Sequence, residues 1–171
     1  MVPQLQGTRN ILSWLDLLSA IGRICCEYTI QREVEPSNGM SEYLFSYGTL
    51  QPELAPAEMT SVIGQLRPIG RASIPGILYD LGDYPGAVFC ETNLEVWGQV
   101  FELPGDPGIL RQLDDYEEFF PAHLERSQFV RTECNATLDN GRAIKAWVYV
   151  YNRDPGSAPR IANGNFAARK K

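Results

Sequence analysis

From Met40 onward the sequence predicts a single small α+β domain, and three observations carry that reading. Short segments rich in Val, Ile, Tyr, Phe and Trp recur along the chain, each bounded by Gly, Pro, Asn or Asp, which is the patterning of strands. Two further segments suit helices. Between the last two strand candidates stands Asp139-Asn140-Gly141, a hairpin signal, since Asn-Gly readily takes the positive φ values such turns need.

The first forty residues differ from the rest. Apolar residues at 11, 12, 15, 17, 18, 21 and 24 have the spacing of one amphipathic helix, and residues 31–39 then have linker composition. The N-terminus lacks the basic and apolar regions of a secretory signal, and Asp16 and Glu27 argue against a transit peptide. Met40 is therefore read as the native start, with 1–39 an upstream extension, helical or foreign to the native chain, and 40–171 the domain.

Within the domain, the aromatic segment 43–47 ends at Gly48 and reads as a buried strand entering a tight turn. A short helix is expected over 54–62, after Pro52 and with Pro56 in its first turns. Strands are expected over 64–72, 77–79, 87–90, 96–103, 128–134 and 143–151. The second helix begins at Asp106, a good N-cap, with Pro107 at the position that owes no amide bond, and runs to about Glu118 before Pro121. Ile109, Leu110, Leu113 and Tyr116 form its apolar face. Trp97 and Trp147, on strand patterns, are expected in the core.

At 171 residues, with 44% hydrophobic and 21% charged, the chain has the length and apolar content for one core. No apolar run approaches the roughly 18–20 residues of a membrane span, so the chain reads as soluble, without a membrane partner. The net charge of -6 is spread along the chain and the 15 basic residues are scattered, apart from Arg169, Lys170 and Lys171. Nucleic acid is thereby excluded as a partner, because a phosphate-reading face needs clustered Lys and Arg. Cysteines at 25, 26, 90 and 134 form no Cys-x-x-Cys pair, and His123 is the single histidine, which argues against zinc. Such sparse cysteines suit reduced thiols in a cytoplasmic protein. A Cys-His couple of Cys134 or Cys90 with His123 is a minor alternative, since most lone cysteines are packing residues.

Two features point to chemistry. In Tyr47-Gly48-Thr49-Leu50, Gly48 lets the backbone bend, and the amides of Gly48, Thr49 and Leu50 can converge into a concavity that holds an anion. An ordinary strand-to-loop turn is the plainer reading of that tetrapeptide. Glu117 lies four residues after Leu113 and seven after Leu110, on or beside the buried helix face. A carboxyl in apolar surroundings has its pKa raised toward neutrality, as a proton-shuttling group requires, and Asp114 on an adjacent face can add like-charge pressure. The alternative is that Glu117 curls out to solvent. Tyr84, Tyr116 and Tyr149 are candidate pocket hydroxyls, though aromatic residues on such patterns are more often core. Asp80 and Asp83 flank Gly82 as turn residues.

The segments Tyr47-Gly48-Thr49-Leu50, Tyr79-Asp80-Leu81-Gly82-Asp83-Tyr84-Pro85-Gly86-Ala87-Val88, Val96-Trp97-Gly98-Gln99-Val100-Phe101, Leu113-Asp114-Asp115-Tyr116-Glu117 and Ala146-Trp147-Val148-Tyr149-Val150-Tyr151 occur in this order. Over roughly 43–166 the chain thereby resembles the γ-glutamylcyclotransferase-like family. The resemblance implies a mixed β-barrel with flanking helices. It implies a cavity in which the amides of Tyr47, Gly48, Thr49 and Leu50 receive the γ-glutamyl end of a small-molecule substrate. It also implies that Glu117, matching the glutamate of a Leu-Asp-x-x-Glu-Gly pattern, is the acid/base. The glycine of that pattern is replaced by Glu118, and Asn163-Gly164-Asn165-Phe166 stands for a Ser-Gly-Asp-Trp-like C-terminal segment.

The reaction so implied closes the substrate's own α-amine onto its γ-carbonyl and releases 5-oxoproline, with no metal or organic cofactor. The alternatives are a catalytically silent binding or interaction domain of the same fold, or a related acyl transfer or hydrolysis using the same glutamate. Neither the leaving group nor the oligomeric state follows from the sequence.

Overall fold

In the computed structural model, which describes residues 42–90 and 92–170, strands β1 (Tyr43–Ser46), β2 (Arg67–Pro75), β5 (Glu95–Glu102), β6 (Phe129–Leu138) and β7 (Ala143–Tyr151) close into a barrel. Its order is β1-β5-β2-β6-β7, and β3 (Ile77–Asp80) pairs with β4 (Pro85–Val88) as a separate two-stranded sheet. These pairings are antiparallel except at the closure, where β1 runs parallel to β7 with Leu44 opposite Trp147. The fold is α+β, as the patterning predicts. The helix expected at 11–24, the linker and the start at Met40 lie outside the described residues. Among the described residues no helix is long and apolar enough to cross a membrane.

Strand alternation sorts side chains into two apolar layers. On β7, Ile144, Ala146, Val148 and Val150 fill the barrel with Phe45, Val96 and Val100. The opposite parity, Leu44, Phe101 and Tyr149, packs beneath α1 (Thr60–Ile63) and α2 (Pro107–Tyr116), against Val62, Ile63, Ile109 and Leu113. Each fully buried Leu, Ile or Phe of that second layer contributes about 1.5–3 kcal/mol, enough in sum to fix α2 on the barrel wall. Trp97 and Trp147 also take the outer parity: Trp147 packs against the helix-side layer, whereas Trp97 belongs to neither apolar layer, which corrects its expected place in the core. Each is half-buried under an arginine, Arg71 4.3 Å above Trp97 and Arg131 5.0 Å above Trp147.

The first helix is shorter and later than its pattern suggests. Pro56 is extended at the N-cap (φ −69°, ψ 160°), and a 3₁₀ turn at Ala57–Met59 leads into α1. The residue before a proline is driven out of the helical region, which prevents a start at Leu54. The helix end still occupies Gly64, Gln65 and Leu66, whose amides bond to Thr60, Val62 and Ile63 carbonyls, so β2 starts at Arg67 instead of residue 64. Similarly, β4 is Pro85–Val88 where 87–90 is expected, and β6 extends to Leu138. At the 139–141 turn only Gly141 has positive φ (81°). Asn140 contributes its side chain instead, Oδ1 accepting from the Arg142 amide at 3.0 Å.

Candidate active site

A cavity of about 390 Å³ opens where the C-terminal end of β1, the end of α2, the start of β4 and the outer faces of β6 and β7 meet. Tyr47, Gly48, Thr49, Leu50 and Glu117 all line it.

Tyr47 is buried, and its hydroxyl donates to the Tyr149 carbonyl (2.7 Å) and accepts from the Ala87 amide (3.1 Å). Burial first, and the charge of Glu117 second, push this phenol far above its ordinary value. It is a strut joining β1, β4 and β7, and not a proton donor. Gly48 corrects the sequence reading in another way. Its φ is not positive; a Cβ there would instead lie 2.8 Å from Pro85 Cγ, so glycine is required to make room for Pro85. The Gln51 amide donates to the Gly48 carbonyl at 3.1 Å and closes the turn. Among the described residues the amides of Gly48, Thr49 and Leu50 engage no acceptor. The Tyr116 hydroxyl donates to Thr49 Oγ1 at 3.2 Å and ties this turn to α2.

α2 forms as its signals predict. Asp106 Oδ1 accepts from the Gly108 amide at 2.8 Å, Pro107 follows, and Ile109, Leu110 and Leu113 are buried. The C-terminus is a Schellman closure: the Glu118 amide donates to Asp115 O (3.3 Å) and the Phe119 amide to Asp114 O (2.9 Å). Phe119 and Leu113 share the helix-side apolar layer. Glu118 sits at the left-handed position of that closure with φ 52°, the one non-glycine residue with positive φ among those described. Glycine suits this position best, so the departure from the family pattern preserves the backbone turn at a cost of about 1–2 kcal/mol.

Glu117 caps this helix end, half-buried, and its amide still bonds to Leu113 O (3.0 Å). The carboxyl is sunk among side chains, and the residue lines the cavity. Among the described residues it has no hydrogen-bond or ion-pair partner. Burial raises its pKa from 4.5 to about 8. Asp114 supplies no part of that shift, contrary to the sequence expectation. Its Oδ1 accepts from the Tyr149 hydroxyl at 2.7 Å, and its Oδ2 lies 3.4 Å from Arg131 Nη1. Burial raises the Asp114 pKa, opposed by the Tyr149 hydrogen bond and by Arg131. Asp114 therefore orients Tyr149 while Arg131 balances its charge.

Tyr84, Tyr116 and Tyr149 line the cavity as well while packing in or against the helix-side apolar layer, so both readings of them hold, and Asp83, Gln128 and Glu118 join them. Tyr149 was legible in principle, because it has the opposite parity to the inward Ile144, Ala146, Val148 and Val150. Gln128 Nε2 donates to the Tyr84 hydroxyl, a long-range contact that no local pattern announces. The Cys-His alternative is overturned. Burial and Glu133 push the Cys134 thiol up to about 12, and His123 is exposed beside Glu125 at 3.4 Å. None of Cys90, Cys134 and His123 lines the cavity.

Fold and cavity together define an α+β barrel protein with a small-molecule-sized site. Residues 44–168 match the gamma-glutamyl cyclotransferase, AIG2-like family, and the chain belongs to that family. It is 38% identical over 85 residues to a gamma-L-glutamyl-butirosin B gamma-glutamyl cyclotransferase of Niallia circulans, a match covering 49% of this chain and 51% of that protein. The chain thus matches only about half the length of that curated relative. Among solved structures, an AIG2-like protein from Mus musculus superposes with a TM-score of 0.58 at 20% identity, over 75% of this chain and 89% of that one. Protein ytfP from Escherichia coli gives 0.51 at 28% identity, over 75% and 99%.

Proposed function

We propose that this protein is a γ-glutamylcyclotransferase that releases 5-oxoproline from a γ-glutamyl amine or peptide, with Glu117 as general acid/base. The observation that carries the reading is an unpartnered carboxyl with a pKa near 8, lining the same cavity as the unengaged amides of residues 48–50. Family membership and the activity named for the Niallia circulans relative support it.

The substrate's α-amine attacks its own γ-carbonyl, a five-membered ring closes, and the γ-amide C–N bond breaks. Placement supplies much of the rate, because nucleophile and electrophile already share one molecule. Glu117 accepts the proton shed by the attacking nitrogen and returns it to the departing nitrogen. A carboxyl that titrates near 8 can do both, whereas one at 4.5 is a poor acid toward an amine. The amides of Gly48, Thr49 and Leu50 hold the substrate carboxylate or polarise the reacting carbonyl. Asp114, through Tyr149, keeps the wall beside Glu117 in place.

Glu117→Gln keeps size and removes the titrating proton. Release of 5-oxoproline from γ-glutamyl dipeptides, γ-glutamylamines and glutathione should fall by about 10²- to 10⁴-fold, with circular dichroism unchanged. Undiminished turnover in a folded variant ends the assignment. A silent binding domain would bind the substrates without releasing 5-oxoproline even in the unaltered protein.

A further inference from the structure

The tyrosine hydroxyls around the cavity are sorted by the hydrogen bonds they already make. A phenol has one proton to donate and lone pairs with which to accept. Tyr47 uses both, donating to the Tyr149 carbonyl and accepting from the Ala87 amide. Tyr84 accepts from Gln128 Nε2 and keeps its own proton. Tyr149 is the reverse. Its proton is committed to Asp114 Oδ1 at 2.7 Å, and among the described residues no group donates to its hydroxyl oxygen. Behind it Asp114, mostly buried, pairs with Arg131 at 3.4 Å, and the guanidinium lies 5.0 Å from the Trp147 ring and 5.5 Å from that of Phe119. Burial first, and the charge of Asp114 second, push the Tyr149 phenol far above its ordinary value, so it keeps its proton. The charge of Glu117 also reaches this hydroxyl, and both residues line the same cavity.

We infer that the Tyr149 hydroxyl oxygen, with the Asp114 carboxylate behind it, receives the α-ammonium group of the γ-glutamyl substrate, and that Asp114 is a positioning residue acting through Tyr149. This rests on the cyclotransferase reading. A hydroxyl that donates to a carboxylate is the better acceptor for it, because each hydrogen bond in a chain polarises the next. The ammonium then lies between the Tyr149 oxygen and Glu117, while the 48–50 amides hold the carboxylate carried by the same carbon. Once a proton has passed to Glu117, an N–H kept on Tyr149 turns the nitrogen lone pair toward the γ-carbonyl. The ring C–N bond forms and the γ-amide C–N bond breaks. The ammonium sheds two protons on becoming the ring N–H, and both pass by way of Glu117 to the departing nitrogen, which leaves as an ammonium. Tyr149 neither gains nor loses a proton.

The test compares γ-glutamylbutylamide with glutaric acid monobutylamide, which lacks only the α-ammonium, by calorimetric Kd on Glu117→Gln. The glutamyl compound should bind roughly 10- to 100-fold tighter, as a charge-assisted hydrogen bond provides. Adding Tyr149→Phe should bring that ratio near one by weakening the glutamyl compound alone. Adding Asp114→Asn leaves Tyr149 an acceptor for its proton and removes the charge, so the ratio should narrow by about 3- to 10-fold with the glutaric compound unmoved. A purely structural role would weaken both compounds alike. Equal affinities in Glu117→Gln, no binding of either compound, or a ratio unchanged by Tyr149→Phe overturns the inference. A ratio that Asp114→Asn leaves unchanged overturns the role of Asp114. Release of 5-oxoproline from γ-glutamylbutylamide by the unaltered protein is a separate readout: its failure beside an intact affinity ratio overturns the cyclotransferase reading and leaves the ammonium site standing.

Discussion

Glu117 and Glu118 are neighbours with opposite demands on the backbone and on solvent. Glu117 stores its chemistry as a desolvation cost. Its pKa is about 8 folded, against 4.5 for the ordinary carboxyl, so the folded state holds the proton more tightly. The stability linked to this group is therefore full below about pH 4.5 and is lost as pH rises to about 8. Gln does not titrate. Relative to the unaltered protein, Glu117→Gln should gain stability steadily between those limits and no further above them, as urea unfolding at several pH values will show. A difference independent of pH would mean the carboxyl is not desolvated. For turnover, kcat/KM should show an acid limb near pH 8 that vanishes in the same variant. Glu118 carries backbone strain instead, and Glu118→Gly should stabilise the fold by about 0.5–1 kcal/mol, the left-handed penalty less the entropy of glycine. Glu118→Gln keeps the strain, so its stability should stay within about 0.5 kcal/mol of the unaltered protein.

At the level of elements, α2 shows what local sequence can and cannot reveal. Asp106, Pro107 and the spacing of Ile109, Leu110 and Leu113 announce the helix, its start and its buried face. The same spacing places Glu117 beside that face, and the carboxylate does sit in the cavity. Asp106→Ala removes the bond to the Gly108 amide and should cost about 1 kcal/mol, measurable by thermal unfolding. Because α2 also carries Tyr116 and Glu117, a rise in KM should accompany that loss. What the pattern could not give are contacts fixed by the closing of the barrel. Gly48 looked like a hinge, yet its meaning is a contact with Pro85, thirty-seven residues on. Asp114 looked like a partner in raising the Glu117 pKa, yet Arg131 and Tyr149, on two other strands, claim it. Alternation names the two faces of a strand but not which one lies inside, hence the misplaced Trp97. The helix expected over 54–62 starts late, at Ala57, for a local reason legible in the sequence, the extended conformation imposed around Pro56.

For the molecule as a whole, the site depends on a strap far from it. After β7 the chain returns along the small hairpin and the barrel: the Asp80 amide donates to Pro159 O (2.9 Å), Ile161 to Leu78 O (2.8 Å) and Trp97 to Gly164 O (2.8 Å). Phe166 then enters the barrel interior with no exposed surface. Gly164 must be glycine for the strap to lie so close, since its φ is 61° and a Cβ would come within 1.8 Å of Glu95 O. The strap holds β3, and β3 carries the turn that brings Asp83, Tyr84 and Pro85 to the cavity, pinned from the other side by Tyr47 through Ala87. Phe166→Ala should therefore cost about 3–5 kcal/mol and lower the melting temperature by roughly 10–20 °C. Phe120→Ala, at a residue 43% exposed, should stay within about 0.5 kcal/mol. At temperatures where the Phe166 variant is still folded, KM should rise more than kcat falls, because the loosened hairpin positions substrate while Glu117 belongs to α2. Similar losses in the two variants would show that the strap is not part of the barrel core, and a fall in kcat alone would show that the hairpin does not shape the binding wall.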